Sequence, residues 1–221
     1  MNPKRTLSHT LLLLLIAVCA WLGVILQFAT YIPAWMKEGK TLSTSLVLFF
    51  SFFTILTNLI VAIATTYTLL LPHTKSGRFC AKPATITAIT LYIIVVGLVY
   101  NIILRSLYHP QGWGKVADEI VHSAVPLLYV IYWLTFATKG SIQWKHAISW
   151  LIYLMLYLAY TLVHGAASGY YPYPFMDVNK IGYTGFWLNS FYLSLLFLFL
   201  SFVLIGIDKY WSRKNKKPIP A

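Results

Sequence analysis

The stretch "SFFTILTNLIV" (Ser51–Val61) lies inside an apolar run covering roughly residues 46–71. At a helical rise of about 1.5 Å per residue, such a run is long enough to cross a hydrocarbon core of about 30 Å. Yet it carries Ser51, Thr54, Thr57 and Asn58 within two turns. Hydrocarbon offers these groups no partners, so side chains of this kind turn toward the interior of a helix bundle or a wet cavity. Ser51, Thr54 and Asn58 are spaced i, i+3, i+7, which predicts one polar helix face.

The rest of the 221-residue chain fits the same setting: 59% of it is hydrophobic, only 10% is charged, and the mean hydropathy is +0.71. A water-soluble domain keeps roughly a quarter of its residues charged. Apolar stretches at approximately 11–32, 84–107, 119–138, 146–168 and 182–208 join 46–71 to make six. The expected fold is therefore all-α, a polytopic bundle of six transmembrane helices forming a single domain over residues 1–221. The first stretch is long and has no small-residue cleavage pattern, which predicts a retained helix and not a removed signal peptide. Cys19 and Cys80 fall in a span and in a connecting loop, so no disulfide framework is expected.

A net charge of +12 raises the possibility of nucleic acid, but its distribution excludes it. Placing the N-terminus in the cytoplasm leaves 12 Lys and Arg in the inner segments and 5 in the outer ones. The positive-inside rule thus predicts both termini cytoplasmic. The basic tail "RKNKK" (213–217) directly follows the last span and reads as an anchor for anionic lipid headgroups.

This orientation puts the costly residues of five helices toward the outer side. The second span contributes Ser51, Thr54 and Asn58, and the third Asn101 and Arg105. The fourth contributes Asp118, Glu119 and His122, the fifth Tyr157, Thr161, His164 and Ser168, the sixth Tyr183 and Asn189. Of the five acidic residues, Asp208 alone falls at the cytoplasmic end, where a surface ion pair with Lys209 is expected. The fifth and sixth spans are joined by "GYYPYPFMDVNKIGY" (Gly169–Tyr183). Its prolines fix the backbone, so Tyr171, Pro172, Tyr173, Pro174 and Phe175 read either as an interfacial aromatic belt or as a lid beside the polar cluster.

Chemically, a hydroxyl becomes a nucleophile when a base takes its proton and fixed dipoles stabilise the oxyanion. Thr54 or Thr57 supplies the hydroxyl in this reading, and His122 the base. Asp118 or Glu119 orients the imidazole, while Asn58, Asn101, Arg105 or His164 donates to the oxyanion. A site open to a leaflet selects lipid esters. Depth is a check: with helix two starting near Leu46 and helix four near Asp118, Thr54 lies about 12 Å deep and His122 about 6 Å. Two other readings use the same residues. One is a non-catalytic membrane protein binding a lipid or small molecule in the cavity. The other is a single haem held by His122 and His164. The hydrolase reading calls for no metal or cofactor.

Three stretches resemble a known family: "FFTILTNLIVA" (Phe52–Ala62), Tyr100–Gly140, and "LYLAYTLVHGAASGYYPYPFMDV" (Leu156–Val178). Together they are similar to the bacterial six-helix branch of the androgen-induced membrane-protein family. Its animal members are intramembrane threonine hydrolases of fatty acid esters of hydroxy fatty acids. The D-x-x-x-H-x-x-x-P run (Asp118, His122, Pro126), and "YPYPF" followed by Asp177, carry the resemblance. It implies Thr54 as the nucleophile, with Thr57 as the alternative, His122 as the base, and a bacterial inner-membrane location. Bacterial members commonly show Arg-Gly where this chain has His164-Gly165.

Overall fold

A computed structural model describes residues 6–215. They form helices and connecting loops, with no strand among the described residues. The elements are α1 (Leu7–Lys37), α2 (Leu42–Phe49), α3 (Phe53–Leu70), α4 (Lys75–Cys80), α5 (Pro83–Val99), α6 (Gly112–Glu119), α7 (Val125–Phe136), α8 (His146–Ser168) and α9 (Val178–Asn215). Two π turns, Tyr100–Leu104 after α5 and Ile120–Ala124 between α6 and α7, extend these helices without a loop. Six of the resulting helices are long and apolar enough to cross a membrane: Leu7–Lys37, Phe53–Leu70, Pro83–Leu104, Gly112–Phe136, His146–Ser168 and Val178–Lys214. The chain is thus an all-α protein compatible with integral membrane residence. Both cysteines are free. Lys4, Arg5, Lys216 and Lys217 lie outside the described residues, so the basic tail is represented by Arg213 and Lys214, exposed at the end of α9.

The chain divides into two compact units, one ending at Phe136 and the other starting at Ala137. In the first, α1 packs along α3 and against the α6–α7 helix. Thr6 caps α1 by accepting from the His9 N–H at 3.3 Å. Val24 and Ile32 of α1 meet Phe49 and Ile55 in one buried cluster. Helix pairs are also pinned by polar contacts: Trp21 Nε1 donates to Thr66 Oγ1 at 3.1 Å, and Trp133 Nε1 to Thr87 Oγ1 at 2.8 Å. Inside a membrane such an interhelical bond contributes on the order of 0.6 kcal/mol.

The second predicted span is not one helix. After α2 the Ser51 Oγ donates back to the Leu48 carbonyl at 2.7 Å, and the Ser51 N–H goes to the same carbonyl at 3.1 Å. Serine bonding of this type offers the backbone an alternative to the helical ladder. Phe52 then takes an extended conformation (φ −77°, ψ 125°) and α3 begins at Phe53. Ser51 therefore sits in the break, off the helical face that Thr54 and Asn58 share.

In the second unit α8 ends at Gly169, whose φ of 72° is left-handed, and Asp177 starts the last helix. The carbonyl of Asp177 accepts from the N–H groups of Lys180 and Ile181, both at 2.9 Å, and its Oδ1 accepts from the Asn179 N–H at 3.1 Å. The helix bends at Gly182 (φ 67°, ψ 172°). Asp208 corrects the expectation of a surface ion pair. It is 1% exposed, and its carboxylate accepts the N–H of Gly140 at 2.9 Å and of Ile142 at 3.2 Å, tying the 137–145 loop to α9. Lys209 instead lies over the Trp144 ring, 5.6 Å from its centroid. Asp208→Ala strands two loop donors and is expected to cost about 1–3 kcal/mol. Thermal unfolding of the detergent-solubilised protein measures it.

Candidate active site

The break before α3 decides where Thr54 lies. It occupies the second position of α3, at the helix end where backbone N–H groups gather and the dipole is positive. Across from it, the π turn Ile120–Ala124 carries His122. A π turn inserts one residue into the helix and re-aims the side chains on it, a device common at functional sites. Here Thr54 Oγ1 lies 3.2 Å from His122 Nε2, and both residues are 8% exposed.

The other imidazole nitrogen faces Asp118. Nδ1 is 3.1 Å from Asp118 Oδ1 and 3.0 Å from the Asp118 carbonyl oxygen. Both are acceptors, so Nδ1 carries a proton, and in the neutral ring Nε2 is the acceptor facing the threonine hydroxyl. Asp118, 5% exposed, is held in turn: Tyr100 donates its hydroxyl to Oδ2, and the Gln27 side chain of α1 lies beside the same carboxylate. The Tyr100 ring also stacks on the imidazole, with centroids 3.8 Å apart and planes 11° apart. Gln27, 3% exposed, and Tyr100 were not among the predicted site residues. A lone glutamine amid apolar residues in α1 was a legible signal; Tyr100 looks like any interfacial tyrosine.

Thr57 is fully buried one turn further along α3, while the imidazole contact goes to Thr54. The two asparagines are engaged elsewhere than at an oxyanion. Asn58 Nδ2 donates to the carbonyls of Thr54 (2.9 Å) and Val121 (3.2 Å). Asn101 Nδ2 donates to those of Gly97 (2.8 Å) and His122 (3.2 Å). Arg105 forms a two-pronged pair with Glu119, at 2.7 and 2.8 Å, and donates Nε to Asn101 Oδ1 at 3.0 Å. A guanidinium is charged at any physiological pH, so the pair with Glu119 is ionic. Glu119 thus serves the arginine, and Asp118 alone faces the imidazole.

Close helix packing sets this arrangement. A Cβ on Gly97 would stand 3.3 Å from the His122 carbonyl oxygen and 3.2 Å from Pro126. One on Gly23 would stand 2.7 Å from Val121. Both glycines let a neighbouring helix approach the π turn. On its other side an open groove of about 530 Å³ has Val116, Ile120, Ala124 and Leu127 as its apolar lining. Glu119 and Ser123 border it.

His164, Asp177, Asn189 and the 171–175 segment belong to the second unit and find partners there. His164 Nε2 lies 3.4 Å from Ser168 Oγ and stacks on Tyr160 with centroids 5.8 Å apart. Asp177 also pairs with Lys180 at 3.4 Å. Asn189 Nδ2 donates to the Phe175 carbonyl at 2.7 Å. Tyr171, Pro172 and Tyr173 are buried, and Tyr173 stacks on Phe175, past which Pro174–Met176 forms a 3₁₀ turn. The segment is a packed loop. Among the described residues no group of three or more His, Cys, Asp or Glu side chains is placed to hold a metal.

The chain matches no protein-family model, no curated protein and no solved structure.

Proposed function

We propose that the protein is an intramembrane hydrolase of lipid esters, with Thr54 as nucleophile, His122 as general base and Asp118 as the group that orients the base. One observation carries this reading: the continuous hydrogen-bonded line from Thr54 Oγ1 to His122 Nε2, and from Nδ1 to the Asp118 carboxylate. A nucleophile, a base and an orienting acid within hydrogen-bond reach are the geometric signature of this chemistry. The reading agrees with the resemblance of Phe52–Ala62, Tyr100–Gly140 and Leu156–Val178 to the threonine hydrolases of the androgen-induced membrane-protein family. Fatty acid esters of hydroxy fatty acids are the substrate class it suggests.

In the proposed reaction, Nε2 takes the Thr54 proton as Oγ1 attacks the ester carbonyl. The alcohol leaves with that proton, and water, activated by the same nitrogen, hydrolyses the acyl-threonine. The positive end of α3 lies at the nucleophile and favours the developing oxyanion. The apolar groove beside the π turn offers an acyl chain a surface. With both termini in the cytoplasm, as the charge distribution favours, the site faces the outer leaflet of a bacterial inner membrane, and the basic tail meets anionic headgroups of the inner one. A protein that only binds lipid has no need of the Nδ1–Asp118 alignment, and its ligand binding survives loss of the hydroxyl.

The test is hydrolysis of a long-chain ester by the purified protein in detergent, compared with Asp118→Asn. In a Ser-His-Asp triad the equivalent change costs about 10⁴-fold in kcat, through the wrong tautomer. Here the Asp118 carbonyl still accepts from Nδ1, so a smaller loss is expected, on the order of 10²- to 10³-fold. Wild-type turnover with no loss in Asp118→Asn removes Asp118 from the mechanism.

A further inference from the structure

The π turn creates a backbone problem that the two asparagines solve. Pro126 has no N–H, so it cannot donate to the carbonyl four residues back, His122, nor to the one five back, Val121. The Val125 N–H is already given to Ile120. These are the two carbonyls that receive side-chain amides, Val121 from Asn58 and His122 from Asn101. Asn58 does more than satisfy an acceptor. Its Nδ2 bridges the Thr54 carbonyl and the Val121 carbonyl, so one nitrogen links the residue bearing the hydroxyl to the residue preceding the imidazole. Asn58 is fully buried.

We infer that Asn58 is a positioning residue: it holds the π turn in register with the first turn of α3 and thereby sets the Thr54–His122 separation. Asn101 braces the same turn through the His122 carbonyl. Neither touches substrate in this role. The D-x-x-x-H-x-x-x-P spacing acquires a physical meaning with it, because the proline frees the carbonyls by which the base is held. Only the rate arm of the following test rests on the hydrolase reading.

The experiment is ¹⁵N NMR of the histidine side chains in the full chain in detergent micelles. It compares wild type, Asn58→Leu, Asn101→Ala and Thr54→Val, with Thr87→Val as a control that breaks a buried bond to Trp133. The expected result is that the His122 Nε2 resonance in Asn58→Leu moves to the position it takes in Thr54→Val, where its hydroxyl partner is gone. Asn101→Ala, at an exposed position where folding tolerates truncation, shifts it the same way by less. Thr87→Val leaves it unmoved. In the rate arm kcat per folded molecule falls about 100-fold in Asn58→Leu with KM unchanged, the scale expected for a 1 Å misplacement. A wild-type Nε2 resonance in whichever asparagine variant folds overturns the inference. A wild type without turnover whose Nε2 shifts as described overturns the hydrolase reading and leaves the positioning role standing.

Discussion

Thr54→Ala is expected to lower ester turnover about 10⁴-fold or more, since removing a nucleophile from a triad costs roughly as much as removing the whole unit. The hydroxyl lost is the group at 3.2 Å from Nε2, seated in the first turn of α3 where the helix dipole favours an alkoxide. Stability changes far less, by about 1 kcal/mol for one buried hydrogen bond. The variant therefore separates chemistry from folding. Thr54→Ser restores a hydroxyl at the same place and should recover turnover. Thr57→Ala keeps the Thr54–His122 pair and is expected to stay within about tenfold of wild type. Loss of turnover in Thr57→Ala with retention in Thr54→Ala would move the nucleophile one turn along α3.

His122→Gln is the second large effect, again about 10⁴-fold or more in kcat. Glutamine can still donate toward Asp118, so the carboxylate beside it is not left without a donor, and Tyr100 keeps its hydrogen bond to Oδ2. What glutamine lacks is a basic nitrogen facing Thr54. The threonine hydroxyl then stays protonated at its ordinary, very weak nucleophilicity. His122→Ala is a harsher variant, because it also empties the space under the Tyr100 ring and leaves Asp118 short of a partner. Equal turnover in wild type and His122→Gln, at matched folded concentration, would show that the imidazole is not the base.

The all-α, multi-span architecture was legible in the sequence. The spans follow from apolar length, since a bilayer sets one dimension for every crossing helix. Polar residues that hydrocarbon cannot satisfy drew attention to Thr54, Thr57, His122, Asp118 and Glu119; the family resemblance singled out Thr54, and the side-chain geometry places Asp118, not Glu119, beside the imidazole. The i, i+4 spacing of Asp118 and His122 survives the π turn because the two side chains meet across it. Other features were hidden. The break at Ser51 depends on a side chain choosing the Leu48 carbonyl, which leaves no trace in hydropathy. The π turns shift register by one residue, less than a periodicity argument can resolve. The contacts of Asn58 and Asn101 with the Val121 and His122 carbonyls depend on that shift and on Pro126, which composition does not reveal. Asp208 looked like a surface charge because Lys209 follows it, whereas the donors it serves lie 68 and 66 residues earlier in the chain.

The most direct measurement is the site of covalent capture by a long-chain fluorophosphonate. The probe reacts with an activated hydroxyl by displacing fluoride, which leaves a phosphonyl ester on the oxygen. Tandem mass spectrometry of the labelled protein should find that adduct on Thr54, absent from Thr54→Ala and strongly reduced in His122→Gln. A protein that hydrolyses the ester but carries the adduct on another residue, or labels fully in Thr54→Ala, would contradict the account.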